Sequence, residues 1–263
     1  MLHVAIATRS ERGHRDVNED KVWVRHHGTQ WMALLADGAG GHQGGAEASR
    51  RAIAGLDAAL ADAGSDFTPQ ALTSAVLAAH ALVQGTHDKV HGSARMHTTV
   101  VALWIDTASA SALWSHVGDS RLYRVQGGRL ELLTVDDSVV QRMLDAGLIT
   151  LQQAATHPHR NHLIAALGID SPVDPHTLAQ PVPLADGDAF LLCSDGWWGA
   201  LDDAAVVASL NDAQSADGWL EAMRQHIEGR ARPRQDNFSA IAVWIGQPVE
   251  DAPTAAAAET SAG

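Results

Sequence analysis

Acidic residues at the ends of apolar runs are the feature of this sequence that could do chemistry. The clusters are Asn18-Glu19-Asp20, Asp37-Gly38, Gly118-Asp119-Ser120-Arg121, and the pair Ser194-Asp195-Gly196 with Asp236-Asn237. Each alone has an ordinary reading, because Asp-Gly and Asp-Asn are common turn formers. Their shared placement at strand edges points further, since an acid just past a rigid strand projects into a common rim. Carboxylates from several strands, with one backbone carbonyl beside a glycine, would supply the oxygen ligands of a hard divalent cation.

Other chemistries lack their residues. The 15 histidines are scattered through loops and helices with no HExxH pair, which argues against zinc. Cys193 is the only cysteine, so there is no disulfide framework. A thiol-dependent phosphatase needs an arginine six residues after its nucleophile, and that position is Gly199. The loop after Asp37 has no lysine for a nucleotide P-loop, and no Gly-x-Ser-x-Gly is present. Cys193 reads as a small buried residue.

The acids must be positioned by the elements around them. Val4 and Ile6, then Val22 and Val24, alternate as strands do, and 31–36 is nearly all apolar. That third strand is expected to end at Asp37, where the glycine-dense run to Gly45 reads as a loop. Two helices follow: one with Ala52, Ile53, Leu56 and Leu60 on a face, the other with Leu72, Val76, Ala79 and Val83. Thr68-Pro69 is a helix start. Strands are expected over 98–104, 112–117, 122–125, 130–133, 189–193 and 239–245, with a hairpin at Gly127-Gly128. Helices are expected near 203–210 and 216–229, the latter burying Trp219, Leu220, Met223 and Ile227. Helices grouped between strands imply an α+β fold, two packed and mainly antiparallel sheets flanked by helix pairs, a four-layer α-β-β-α sandwich. A doubly wound parallel sheet is the weaker alternative.

Composition bounds the partners. Eighteen basic residues against 31 acidic ones give a formal charge of -13, which argues against a nucleic-acid surface. No run of about 18 apolar residues is present, and no secretory segment is visible, so a cytoplasmic protein without a membrane span is expected. Residues 247–263 are rich in alanine and lack large apolar side chains, which predicts a disordered tail after a folded unit over 1–246.

Taken in order, these motifs resemble the bacterial branch of the type 2C family of metal-dependent protein phosphatases. The carriers are 13–20 (GHRDVNED), 36–42 (ADGAGGH), Thr98-Thr99-Val100, 117–121 (VGDSR), 133–136 (LTVD), 157–161 (HPHRN), 191–196 (LLCSDG) and 236–239 (DNFS). The resemblance implies hydrolysis of phosphoserine and phosphothreonine in proteins, with two Mn2+ or Mg2+ ions and a third, weaker one. It implies that Asp37 bridges the two ions and that the Gly38 carbonyl helps to hold the second. Asp195 and Asp236 complete the first, and Glu19 serves the second directly or through water, with Asp20 behind it. Asp119 matches the ligand of the third ion, and Arg15 the grip on the substrate phosphate. A water clamped between two cations becomes a nucleophile near neutral pH, so no protein nucleophile is required. The implied partners are phosphorylated proteins and an opposing Hanks-type Ser/Thr kinase, with type VI secretion clusters as one setting. A monomer is expected.

Some positions depart from the family pattern or stay open. Ala39 stands where some members carry a proton-donating histidine, leaving metal-held water or His42 as the general acid, although a loop-structural role is the favoured reading of His42. His97 replaces a common glycine, with little consequence expected because Thr98 and Thr99 read as strand residues. Trp197 and Trp198 either line a substrate groove or pack beneath the site, and Arg160 either touches substrate or is a solvated loop residue. The competing function is a regulatory, phosphoprotein-binding member of the same fold without catalysis.

Overall fold

Strand register explains why so many runs in this chain are apolar at every position. The computed structural model describes residues 2–40, 44–62, 66–85, 96–230 and 234–246. Its first half comprises β1 (Val4–Glu11), β2 (Asp20–His27), β3 (Gln30–Ala39), α1 (Gly44–Asp62), α2 (Pro69–Gln84), β4 (His97–Thr98), β5 (Val100–Asp106), β6 (Ser111–Val117), β7 (Arg121–Gln126) and β8 (Arg129–Leu132). The second comprises α3 (Val139–Asp145), α4 (Leu151–Ala155), β9 (His176–Thr177), β10 (Val182–Pro183), β11 (Ala189–Cys193), α5 (Asp195–Trp198), α6 (Asp203–Asp212), α7 (Ala216–Gly229) and β12 (Phe238–Ile245). The tail expected to be disordered, and His42, lie outside the described residues.

One sheet has the order β1-β12-β11-β7-β8, the other β10-β6-β5-β3-β2, with β4 added on β3 and β9 on β6. Every strand pair among the described residues is antiparallel, which excludes the doubly wound alternative. Side chains alternate across each strand, so a sheet covered on both faces needs apolar residues at successive positions. In β3, Met32, Leu34 and Ala36 pack against the α1–α2 pair, whereas Ala33 and Leu35 face the second sheet. In β12, Ile241, Val243 and Ile245 fill the space between the sheets, and Ala240 and Ala242 lie under α6 and α7. The result is the expected four-layer sandwich.

The helix faces read from the sequence are the buried ones: Ala52, Ile53, Leu56 and Leu60, then Leu72, Val76, Ala79 and Val83, then Trp219, Leu220, Met223 and Ile227. Thr68 caps α2 by accepting the Ala71 N–H at 3.2 Å, with Pro69 in the first turn. Among the described residues no helix is long and apolar enough to cross a membrane.

Two boundaries differ from expectation, and both shape the site. β3 does not stop before Asp37 but continues through Gly38 and Ala39. It can do so because β4 pairs with Gly38 and Ala39 after β5 leaves its side. The single strand expected over 98–104 is likewise broken at Thr99, between β4 and β5. A strand interrupted by one residue keeps the same alternation, so apolar periodicity does not reveal the break.

Candidate functional site

A cavity of about 500 Å³ is walled by Arg15, Glu19, Asp37, Gly38, Asp119, Asp195 and Asp236. Seven of the eight residues assigned to the site from sequence therefore meet on one surface. The eighth, Asp20, is buried behind them as the direct cross-strand partner of Asp37.

Asp37 is held by its own backbone. Its N–H donates to Thr99 Oγ1 at 3.1 Å, and its carbonyl accepts from the Thr99 N–H and the Thr98 hydroxyl, each at 2.8 Å. Thr99 Oγ1 shares a further hydrogen bond with Ser120 Oγ at 2.7 Å. The break at Thr99 thus turns two strand threonines into a clamp on the central acid, a role beyond the one read from the sequence. Gly38 follows because space forbids a side chain: a Cβ there would lie 2.0 Å from the Gly45 carbonyl oxygen. That contact lets the start of α1 close over β3 with Glu19 between them, where the Glu19 carbonyl accepts from Gly38 N–H and from Ser49 Oγ.

Asn237 organises the loop that carries Arg15 and Glu19. Its side-chain oxygen accepts the Glu19 N–H at 2.9 Å, and its amide donates to the carbonyls of Arg12 at 2.8 Å and Val17 at 3.0 Å. Sequence reading paired Asn237 with Asp236 but gave it no function. A residue bonding backbone groups some 220 positions away leaves no local signal. Gly196 is required by the same junction, since a Cβ would meet the Asn237 carbonyl oxygen at 2.0 Å.

Asp195 opens the one-turn helix α5 and lines the same cavity as Asp37, whose pKa its charge helps to raise. Asp236, just before β12, faces Arg15, whose Nη2 donates to Oδ2 at 2.6 Å. This ion pair raises the Arg15 pKa, through the Asp236 hydrogen bond above all. Asp119 lies on the turn between β6 and β7, buried, with its carbonyl accepting Trp198 Nε1–H at 3.0 Å. Trp197 is fully buried against Phe238, so the packing alternative holds for it. Trp198 supports the Asp119 turn. Arg160 lies beside α5, where its charge lowers the pKa of Asp195. Cys193 is buried, and desolvation drives its thiol pKa far upward, which removes it as a nucleophile.

Apart from Arg15, the charged side chains of this wall are all acidic. Burial, then the charges of Asp20 and Asp195, push Asp37 well above the usual carboxylate range. Burial raises Asp20 to about 7, Asp119 to about 8 and Asp195 to about 6, with neighbouring aspartates adding to each. Like charges placed directly opposite, as Asp20 and Asp37 are, destabilise a sheet unless a proton or a cation offsets them. The donor set suits a hard divalent ion: oxygen ligands only, with no imidazole or thiolate on the wall. Asp20 Oδ1 is buried without a hydrogen-bond partner, a cost that nearby positive charge would relieve. Among the described residues no three His, Cys, Asp or Glu side chains already converge on one point at ligand distance. The acids share a cavity, with Asp236 turned to Arg15, rather than a single focus.

The family model described as Protein phosphatase 2C matches residues 8–236. The chain is similar to the serine/threonine protein phosphatase PstP of Mycobacterium tuberculosis (strain CDC 1551 / Oshkosh), 36% identical over 231 residues. That match covers 87% of this chain and 43% of the relative, so the chain spans less than half that relative's length. It is 32% identical over 208 residues to the serine/threonine phosphatase stp of Listeria monocytogenes serotype 4b (strain F2365), covering 70% of this chain and 77% of the relative. A solved structure of the PstP catalytic domain in complex with two manganese ions superimposes with a TM-score of 0.78 at 28% identity, covering 94% of this chain and 100% of that one.

Proposed function

This chain belongs to the protein phosphatase 2C family, and on that premise we propose that it hydrolyses phosphoserine and phosphothreonine monoesters in proteins, using Mn2+ or Mg2+. The observation that carries this reading is a single cavity whose wall joins six carboxylates, the Gly38 backbone and one arginine. In this reading Asp37, Asp195 and Asp236 would hold one ion. Asp37, the Gly38 carbonyl and Glu19 would hold a second, and Asp119 would hold a third, weaker one. Asp20 supports Asp37 from behind. When bound, the ions polarise the phosphoryl group and supply a water-derived nucleophile near neutral pH.

The chain's own residues set the geometry for that chemistry. The Thr98–Thr99 clamp fixes Asp37, and Asn237 fixes the loop carrying Arg15. The Arg15 side chain is more than half exposed on the cavity wall (57%), with one edge held by Asp236. Its planar fork can donate to the phosphoryl oxygens there, where the substrate's negative charge is greatest. The physiological setting we propose is a cytoplasmic monomer acting on phosphorylated proteins against a Hanks-type kinase, with type VI secretion as one such setting.

Hydrolysis of p-nitrophenyl phosphate and of a phosphothreonine peptide, with manganese and after complete chelation, tests the reading. Turnover is expected only with the ion. Activity that survives chelation would defeat the metal assignment, and failure to hydrolyse any phosphopeptide would favour the non-catalytic binding module. In the same assay Arg15→Ala should raise KM about 10- to 100-fold, the loss of a charge-assisted contact of about 1.5–3 kcal/mol. An unchanged KM would remove Arg15 from the phosphate site.

A further inference from the structure

The turn 118–120 joins β6 of one sheet to β7 of the other, and Asp119 is its middle residue. Both of its flanks are anchored. Gly118 N–H donates to Asp137 Oδ2 and its carbonyl accepts Asp137 N–H, both at 2.9 Å, while Ser120 is tied to Thr99. The Asp119 carbonyl is held by Trp198 Nε1–H at 3.0 Å. Trp198 closes the single turn of α5 that Asp195 opens. One indole N–H therefore links the backbone of one cavity acid to the helix carrying another.

The indole is itself fixed. The Arg121 guanidinium lies 3.6 Å over the Trp198 ring. Arg121 is held in turn by two hydrogen bonds to Asp136, at 3.0 and 2.8 Å, and one to Tyr123 Oη at 3.1 Å. A planar cation stacked on an aromatic face and locked by a bidentate carboxylate leaves that ring one orientation.

We infer that Trp198 is a positioning residue that sets the separation of Asp119 from Asp195, and so tunes the affinity of the weaker cation position. Arg121 and Asp136 hold it in register. This rests on the metal reading proposed above. Trp198 would touch neither substrate nor ion, and it would act through the Asp119 carbonyl alone.

Trp198→Phe keeps a ring beneath Arg121 and removes the N–H. Manganese binding to the full chain, measured by calorimetry and by the electron paramagnetic resonance of free Mn2+, should show the weakest step loosened about 5- to 10-fold. The melting temperature in chelator should stay within about 2 °C of wild type. Arg121→Lys, which loses the stacked plane and the bidentate pair, should move the same step in the same direction; its isotherm decides the matter if Trp198→Phe does not fold. An isotherm superimposable on wild type in the folded variant overturns the inference, whether or not the melting temperature falls. Asp119→Asn separates the two levels of the argument. If it abolishes the weakest step while Trp198→Phe does not affect it, only the positioning role is lost. If Asp119→Asn changes nothing, the ion assignment at Asp119 fails and this inference with it.

Discussion

Asp37→Asn is expected to lower kcat about 100- to 1,000-fold, or about 3–4 kcal/mol of barrier, while leaving the protein in chelator no less stable than wild type. The two effects run in opposite directions for one reason. Asp37 is a half-buried acid directly opposite Asp20 and close to the charge of Asp195, so its own charge is a liability to the fold. The same charge is proposed to be shared by two cations, and an amide, neutral and with one oxygen fewer, cannot serve both. Its backbone clamp by Thr98 and Thr99 does not involve the side chain and should survive the substitution. The checks are steady-state turnover against manganese concentration and melting curves with and without the ion. Wild-type activity at low manganese would refute the shared-ligand role, and an equally large loss of stability in chelator would mean that the activity loss reports misfolding.

In chelator, the folded state should lose stability as pH rises from about 4 to about 8, and manganese should restore it most at the upper end. The sign follows from the direction of the shifts. Asp20, Asp119 and Asp195 are raised to about 7, 8 and 6, and Asp37 is raised as well. Through this window the folded chain therefore holds protons that the unfolded chain has already released. Stability from these groups is fully present below the ordinary aspartate pKa and is lost as pH climbs through the folded values. Glu47, pulled down chiefly by its hydrogen bond to Arg50, and His80 and His116, pulled down by burial, shift the other way and offset part of the effect. Manganese competes with those protons, so its stabilising effect should grow with pH. At a hundredfold excess over its dissociation constant near pH 8, it should raise the melting temperature by about 5–10 °C. A shift of equal size at pH 5.5 and pH 8, or a chelated protein that becomes more stable across the interval, would contradict the carboxylate cage.

Much of this was legible in the order of residues. Burial on both faces of a sheet requires unbroken apolar runs, and the run 31–36 and strand β11 announced themselves that way. Helix faces follow from a spacing of three and four, and Thr68-Pro69 marks a helix start through its own capping chemistry. The acids were visible because they interrupt or bound the apolar runs, and a chain does not place carboxylates there without a turn or a function. All of these are properties of neighbours in sequence.

The tertiary structure decided what depends on partners far along the chain. That Asp37 lies within β3 rather than beyond it was settled by β4, which completes the strand from some 60 residues away. Thr99 became a clamp only where β4 and β5 part, and Asn237 became an organiser only where the 12–19 loop met β12. Trp198 and Asp119 are separated by 79 positions, yet one hydrogen bond joins them. Hydrogen-bond partners are chosen by distance in space, and two strands of one sheet carry no mutual trace in their composition. The sequence by itself therefore determined which elements form and which side chains are charged, because short-range sterics and burial act locally. The packing of two sheets determined which of those charges face one another.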